Sequence, residues 1–185
     1  MKIIILDRDG VINHDSDKFI KSADEWNPLP GSLEAIAKLN QAGYKVVVCT
    51  NQSGIGRGLY TMKTLNEIHE KMHNLVDNAG GRIAAVFFCP HTSEDNCECR
   101  KPKPQMIFDI CDRFNIDDIA NIMFVGDSER DLLAIATAGG VPVLVKTGNG
   151  KKTLAKGNLP SGTLVFDNLL ELSEYLIESG NKYET

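Results

Sequence analysis

The sequence predicts one α/β domain, residues 1–185, in which helices cover both faces of a central, mainly parallel sheet. Short apolar runs alternate with segments whose apolar residues follow helical spacing, and this alternation is typical of parallel sheets. Residues 3–6 are all apolar, so they predict a strand buried on both faces. The stretch from Asp9 to Thr50 is too short to hold a second folded domain beside its own helix. We therefore expect three layers and no large cap domain.

The remaining elements follow in chain order. Strands are predicted at 44–49, 83–88, 121–125, 141–145 and 164–166, and helices at 31–42, 61–78, 104–114 and 169–177. Residues 126–131 lead into a further predicted helix that ends at residue 138. Thr61 suits a helix N-cap and Gly43 a helix C-cap. Residues 15–30 are polar and contain proline breakers, so we expect a loop that covers the end of the first strand.

The composition disfavours proteins that bind nucleic acid or membranes through bulk charge, and proteins that span a membrane. The chain has 42% hydrophobic and 24% charged residues and a net charge of −5, which is ordinary globular usage without a basic surface for nucleic acid or membrane. No apolar run approaches the roughly 18 residues of a membrane span, and the N-terminus carries no signal pattern. We therefore expect a cytoplasmic monomer that acts on a small molecule.

Polar side chains follow three of the predicted strands. Asp7 and Asp9 follow the first strand, Thr50 and Asn51 follow the second, and Asp127 and Asp131 follow a later one, with Lys101 between the last two groups. In a doubly wound sheet, such strand ends converge in one crevice. The combination supplies a nucleophile, a proton donor, ligands for a cation and a phosphate-binding lysine. These are the parts that phosphoryl transfer needs.

Four motifs in this order resemble those of haloacid dehalogenase-type phosphatases: residues 7–11, 50–51, 101–102 and 126–131. The resemblance implies a Rossmann-like fold in which Asp7 forms an aspartyl-phosphate and Asp9 transfers protons. It also implies that Asp7, Asp127 and the backbone carbonyl of Asp9 hold a catalytic Mg²⁺. Thr50 and Lys101 would bind the transferring phosphoryl group, and Asp131 would orient its neighbours.

A finer resemblance covers nearly the whole chain. Residues 6–10, 50–58, 89–91 and 97–102 are similar to the branch of that family that acts on D-glycero-D-manno-heptose 1,7-bisphosphate. It implies removal of the C7 phosphate in the synthesis of ADP- or GDP-heptose, a precursor of lipopolysaccharide core or surface polysaccharide. Histidinol-phosphate phosphatases share most of these motifs and remain an alternative. A polynucleotide end phosphatase is disfavoured by the acidic net charge, and a non-catalytic zinc module would not need all three acids.

Three of the five cysteines crowd into residues 89–99, which favours a metal site over disulfides in a cytosolic protein. Cys89, His91, Cys97 and Cys99 supply one imidazole and three thiolates, a set that suits a structural, tetrahedral Zn²⁺. We expect this zinc loop, residues 89–101, to direct Arg100 and Lys101 into the crevice. Cys49 and Cys111 lie in apolar segments and are interpreted as buried thiols.

Further residues are expected to bind substrate. They are Arg8, Asp15, Lys18, Asn51, Gln52, Ser53, Arg57 and Arg100. Arg57 and Arg100 are the candidates for a second phosphate, because the planar arginine fork suits phosphate better than a lysine does. The three histidines outside the zinc loop, His14, His69 and His73, are expected on solvent-exposed surfaces.

Overall fold

The computed structural model describes residues 2–181, which form six strands and six helices. The strands are β1 (Lys2–Leu6), β2 (Tyr44–Asn51), β3 (Ile83–Cys89), β4 (Met123–Gly126), β5 (Val141–Val145) and β6 (Leu164–Phe166). The helices are α1 (Ser32–Gln41), α2 (Met62–Asn78), α3 (Gln105–Phe114), α4 (Glu129–Ala138), α5 (Gly150–Lys156) and α6 (Leu169–Asn181).

The strands form one parallel sheet in the order β3-β2-β1-β4-β5-β6. The chain builds outward from β1 to β3 and then returns to the other side of β1 with β4. The strand order therefore reverses between β1 and β4, and a crevice opens at the carboxyl ends of such a pair. Leu6 is paired with Val48 on one side and Val125 on the other, so the residues after these strands meet at one edge.

Successive residues of β1 point to opposite faces of the sheet, and both faces are covered. Ile4 and Leu6 belong to a core with residues of α1, α2 and α6, whereas Ile3 and Ile5 belong to a second core with residues of α3 and α4. All four side chains are buried. Burial of such a side chain stabilises the fold by about 1.5–3 kcal/mol. The prediction of a three-layer domain with a doubly buried first strand is confirmed.

Local signals explain where several elements begin and end. The hydroxyl of Thr61 accepts the Thr64 N–H at 3.2 Å, which confirms the predicted cap of α2. At α4, Ser128 and Asp131 form a capping box. Strand β2 extends past the predicted Cys49 to Asn51. Helix α5 was not predicted, because its seven residues are too few to establish an apolar period.

The connections between strands and helices carry no cap domain within residues 2–181. The loop between β1 and α1 folds back over the sheet edge, where Trp26 is fully buried in the core. In the same part of the chain, none of the helices combines the length and the apolar character that a membrane crossing requires.

Candidate active site

The carboxyl ends of β1, β2 and β4 enclose a cavity of about 150 Å³. Asp7, Thr50 and Asp127 lie at these strand ends and are each at most 4% exposed. The cavity is lined by Asp7, Asp9, Asp15, Ser16, Phe19, Ile20, Thr50, Asn51, Gln52, Ser53, Arg100 and Arg130. The convergence expected from strand order is therefore observed.

Lys101 is buried against this edge although it follows β3 by twelve residues. Its Nζ lies 3.1 Å from Asp7 Oδ1 and 2.7 Å from Asp131 Oδ1, and donates to the Cys49 carbonyl at 2.8 Å. The side chain of Asn51 holds the lysine backbone by donating to its carbonyl and accepting from its N–H, both at 3.1 Å. Asn51 therefore lines the cavity and also positions Lys101.

Three carboxylates lie close together beside this single lysine. Oxygens of Asp7, Asp127 and Asp131 fall within 4.8 Å of one another, and all three residues are buried. Burial, together with repulsion from the neighbouring carboxylates, raises the pKa of Asp7 to about 6 and that of Asp127 to about 8. The Lys101 ammonium and the nearby Arg130 guanidinium supply only two positive charges against these three negative ones. A further cation would therefore stabilise the ionised cluster.

The donors at this cluster fit Mg²⁺. Asp131 is already engaged, because its Oδ2 accepts from the Ser128 N–H and hydroxyl at 3.1 and 2.5 Å while Oδ1 pairs with Lys101. Asp7 and Asp127 remain as possible carboxylate ligands, and carboxylate oxygen is a ligand type that Mg²⁺ prefers.

Two glycines make room for the Asp127 carboxylate. A Cβ at Gly10 or Gly148 would come within 2.1 or 2.2 Å of Asp127 Oδ2. Both glycines also have positive φ, 82° and 53°, which other residues rarely adopt. Asp127 Oδ2 additionally accepts the Asn149 N–H at 2.7 Å. The carboxylate is thus fixed by the loops after β1 and β5.

Asp9 lies beside Asp7 and accepts several hydrogen bonds. Asn13 Nδ2 donates to its Oδ1 at 2.8 Å, Gln52 Nε2 to its Oδ2 at 2.9 Å, and Arg8 pairs with it at 3.0 Å. Burial opposes ionisation of Asp9. The Arg8 guanidinium and the bonds from Asn13 and Gln52 outweigh that effect and lower its pKa.

The structure does not place Arg8 where it could bind substrate. Its side chain is 0% exposed, does not line the cavity, and is engaged with Asp9, Gln52 and His69. The prediction that Arg8 contacts substrate therefore lacks support in this arrangement. The side chain turns back into the protein because a buried guanidinium needs partners, which Asp9 and Gln52 supply.

His69 was expected on an exposed helix face but is only 9% exposed. Its Nε2 lies 3.3 Å from Arg8 Nη1. Since arginine has only donors, this nitrogen must accept, and the ring is neutral. Burial and the adjacent guanidinium lower the pKa of His69 to about 3. The helical period alone did not identify this contact, since His69 borders the apolar face of α2.

The other predicted substrate residues divide into two groups. Asp15, Asn51, Gln52, Ser53 and Arg100 line the cavity. Lys18 and Arg57 are exposed and are not part of its wall, so the prediction that they bind substrate lacks support in this arrangement. Each lies in a loop whose path is fixed by hydrogen bonds of the backbone N–H groups, and the spacing of residues in the sequence does not predict these bonds.

Four cavity residues were not predicted. They are Ser16, Phe19, Ile20 and Arg130. Arg130 belongs to the segment 126–131 that was singled out, so its position beside Asp131 was an available signal. The other three lie in the loop after β1, where no periodic pattern marks which side chains turn inward.

The cysteine cluster lies next to the cavity and has the dimensions of a zinc site. Sulfur–sulfur separations among Cys89, Cys97 and Cys99 are 3.2–3.6 Å, and His91 Nδ1 lies 3.6 and 3.3 Å from Cys89 and Cys99. A tetrahedron with Zn–S bonds of about 2.3 Å has edges of about 3.8 Å. The cysteines are free thiols, so the set could hold Zn²⁺.

Arg100 follows this cluster directly. Its Nη1 donates to the His91 carbonyl at 3.1 Å, and its side chain lines the cavity. A metal bound by the cluster would therefore also fix the backbone that holds Arg100. This geometry agrees with the expectation that the zinc loop directs Arg100 and Lys101 toward the crevice.

Comparisons with known proteins agree with this geometry. Residues 5–139 match the family model for haloacid dehalogenase-like hydrolases. The D-glycero-beta-D-manno-heptose-1,7-bisphosphate 7-phosphatase of Neisseria meningitidis serogroup A is 58% identical over 180 residues, 96% of each chain.

Two solved structures also align over nearly the whole chain. The D,D-heptose 1,7-bisphosphate phosphatase from Bordetella bronchiseptica, complexed with magnesium and phosphate, has a TM-score of 0.95 and 56% identity, covering 97% of this chain and 99% of that one. The corresponding phosphatase from Burkholderia thailandensis has a TM-score of 0.77 and 52% identity, covering 96% and 99%. The chain therefore belongs to the haloacid dehalogenase-like hydrolase family, in the branch of the heptose 1,7-bisphosphate phosphatases.

Proposed function

We propose that this protein removes the C7 phosphate of D-glycero-β-D-manno-heptose 1,7-bisphosphate and releases heptose 1-phosphate. One observation carries the chemical part of the proposal: Asp7 lines the cavity with its carboxylate paired to the buried Lys101. The substrate is proposed because two D-glycero-beta-D-manno-heptose-1,7-bisphosphate 7-phosphatases are 58% and 56% identical to this chain over nearly its entire length. The β anomer is proposed because it is the one in the names of these relatives.

Asp7 is the proposed nucleophile. Its Oδ1 accepts the Arg8 backbone N–H at 2.8 Å and pairs with Lys101 at 3.1 Å, which fixes the orientation of the carboxylate. An Asp7 oxygen would form the bond to phosphorus as the bond from phosphorus to the sugar C7 oxygen breaks. Water would then attack the aspartyl-phosphate and release inorganic phosphate, regenerating the carboxylate.

Asp9 is the proposed proton carrier. It would take up a proton from solvent, donate it to the departing C7 oxygen, and later accept one from the attacking water. Thr50 and Lys101 would hold the phosphoryl oxygens by hydrogen bonds and charge, which stabilise the negative charge of the transition state.

Two metals are proposed. Mg²⁺ would be held by Asp7, Asp127 and the Asp9 carbonyl, and would neutralise charge between the carboxylates and the phosphate. Zn²⁺ would be held by Cys89, His91, Cys97 and Cys99 and would have a structural role, since the four protein ligands leave no open position.

The second phosphate needs local positive charge, because the chain is acidic overall with a net charge of −5. We propose that Arg100 binds it, since this arginine lines the cavity and is held by the His91 carbonyl. Arg130 also lines the cavity and supplies a second positive charge there.

A charged sugar bisphosphate does not cross membranes unaided, so it is consumed where it is made. We accordingly propose a cytoplasmic enzyme in the synthesis of activated heptose, active as a monomer. Size-exclusion chromatography with light scattering would test the assembly state.

The deciding experiment measures phosphate release from both anomers of the heptose bisphosphate and from histidinol phosphate, with and without Mg²⁺. We expect the β anomer to have the highest kcat/KM, activity to require Mg²⁺, and Asp7→Asn to abolish turnover while thermal unfolding stays close to wild type. Faster hydrolysis of histidinol phosphate would contradict the substrate assignment. Normal turnover by Asp7→Asn would contradict the covalent mechanism.

A further inference from the structure

The carboxamide of Gln52 lies between two groups of the proposed reaction, and its orientation is determined by its neighbours. Gln52 is 4% exposed. Its Oε1 accepts from the Tyr60 hydroxyl at 2.6 Å and from Arg8 Nη2 at 3.1 Å. A guanidinium can only donate, so the amide atom that faces Arg8 must be the oxygen.

The amide nitrogen therefore points the other way, and both of its hydrogens have acceptors. Nε2 donates to Asp9 Oδ2 and to Thr50 Oγ1, each at 2.9 Å. The proposed proton carrier and the proposed phosphoryl-binding hydroxyl are thus joined through one amide group. This arrangement depends on the amide orientation that Tyr60 and Arg8 impose.

The consequence for Thr50 follows from hydroxyl chemistry. A threonine hydroxyl has one hydrogen to donate and lone pairs to accept. Because Thr50 Oγ1 accepts from Gln52, its own hydrogen is directed away from that bond. Thr50 lines the cavity, so the hydroxyl can donate to an oxygen of a bound phosphoryl group.

We propose that Gln52 is a positioning residue that orients the Thr50 hydroxyl as a donor and holds the Asp9 carboxylate at a fixed distance from it. Tyr60 does not contact Thr50 or Asp9 in this network; its hydroxyl orients the Gln52 amide by donating to Oε1. This assignment rests on the proposed phosphatase reaction for the roles of Thr50 and Asp9. It replaces the expectation that Gln52 serves mainly by contacting substrate.

A double-mutant cycle tests the link between Gln52 and Thr50. Gln52→Met keeps the length of the side chain and removes the amide, and Thr50→Val removes the hydroxyl at nearly constant shape. We expect Gln52→Met to lower kcat about 10- to 100-fold and to change KM by less than about 3-fold. In the Thr50→Val background, the factor by which Gln52→Met lowers kcat should be at least about 3-fold smaller than in wild type. The reason is that the hydroxyl oriented by Gln52 is absent there.

Two outcomes would overturn the proposal. Strictly multiplicative losses in the two backgrounds would mean that Gln52 does not act through Thr50. A raised KM with unchanged kcat would mean that Gln52 binds substrate directly. Circular dichroism and thermal unfolding of each variant would show whether a loss of rate reflects a loss of fold.

Tyr60→Phe provides an independent variant that leaves every cavity-lining residue in place. We expect a severalfold lower kcat, and no further loss when it is combined with Gln52→Met. Tyr175→Phe is the matched control, since Tyr175 is 50% exposed on α6, and it should turn over at the wild-type rate. A wild-type kcat for Tyr60→Phe would show that the Tyr60 hydroxyl is not needed to orient Gln52.

The same cycle is measured on para-nitrophenyl phosphate. Hydrolysis of this ester measures the reaction at Asp7 and does not depend on which sugar phosphate is the natural substrate. A wrong heptose assignment would therefore leave the coupling on this ester intact, whereas a wrong role for Gln52 would abolish it. With its good leaving group, it also needs little protonation by Asp9. Coupling between Gln52 and Thr50 should therefore persist on this ester.

Discussion

At the scale of single residues, the site depends on charges that are buried in pairs. Lys101 is 2% exposed and contacts two carboxylates and one carbonyl. Burial disfavours its charged form, but Asp131 and Asp7 outweigh that effect and raise its pKa. The lysine therefore stays protonated. Its removal should affect stability as well as catalysis.

We predict that Lys101→Met abolishes measurable turnover and lowers the free energy of unfolding by roughly 3 kcal/mol, because Asp7 and Asp131 lose their buried counterion. Urea denaturation at pH 8 without Mg²⁺ measures this effect. Lys146→Met is the control, since Lys146 pairs with Asp167 at the solvent-exposed surface, where ion pairs contribute little. Equal stability of the Lys101→Met variant and wild type would contradict the prediction.

The substrate preference is tested at Arg100. Arg100→Ala should lower kcat/KM for the heptose bisphosphate about 10- to 100-fold more than for the corresponding 7-monophosphate, since one charge-assisted contact contributes roughly 1.5–3 kcal/mol. Steady-state kinetics on both substrates provides the comparison. Arg57→Ala is the matched control, because Arg57 is exposed away from the cavity wall. Equal losses on the two substrates would assign Arg100 to the cleaved phosphate or to the fold.

At the scale of elements, the zinc loop connects the end of β3 to Lys101. Cys89 is the last residue of β3, and the loop returns past Cys99 to Arg100 and Lys101. Thiolate sites couple metal binding to local order. Without a metal, three thiols within 3.6 Å of one another would hold this loop less firmly.

We predict about one zinc per chain in protein purified without chelator, and loss of most of that zinc in Cys97→Ser. The variant should have lower kcat/KM and faster hydrogen exchange in residues 89–101, with Mg²⁺ dependence unchanged. Elemental analysis and hydrogen exchange measure these quantities. Cys111→Ser controls for loss of a buried thiol outside the cluster. Protein that lacks zinc and yet is fully active would exclude a structural zinc.

At the scale of the whole molecule, packing of α2 against the loop after β1 creates a dependence of stability on pH. His69 on α2 accepts from Arg8, and its pKa is lowered to about 3, mainly by burial. In the unfolded chain a histidine takes up a proton near pH 6.5. Below that pH the unfolded state binds more protons than the folded state, so stability falls as pH falls.

We predict that the free energy of unfolding of wild type decreases more between pH 7.5 and pH 5 than that of His69→Gln, by up to about 2 kcal/mol. Other titrating groups are common to both proteins and cancel in the difference. Urea denaturation at the two pH values measures it. His73→Gln retains His69 and should keep the full wild-type decrease. An equal decrease in wild type and His69→Gln would show that the buried ring does not exclude a proton.

Much of the fold and the central chemistry could be predicted from local patterns. The doubly buried β1 follows from four consecutive apolar residues, and Asp7, Asp9, Thr50 and Asp127 follow from motifs at strand ends. Lys101 lies in a loop and was identified from the resemblance to the family's motifs. The cysteine cluster was apparent because its members lie within eleven residues of one another. Strand order then brings these segments together without further information from the side chains.

Only the tertiary structure decided which side chains face the cavity and which support it from behind. Arg8 lies in the loop after β1, His69 on α2 and Tyr60 in the loop before α2. Arg8 and Tyr60 nevertheless meet at Gln52, and His69 contacts Arg8. The spacing of apolar residues and the helix-cap signals depend on residues a few positions apart, so they specify individual helices and strands. The partner of a buried polar group is set by packing between distant segments, where the need to satisfy every donor and charge selects the arrangement.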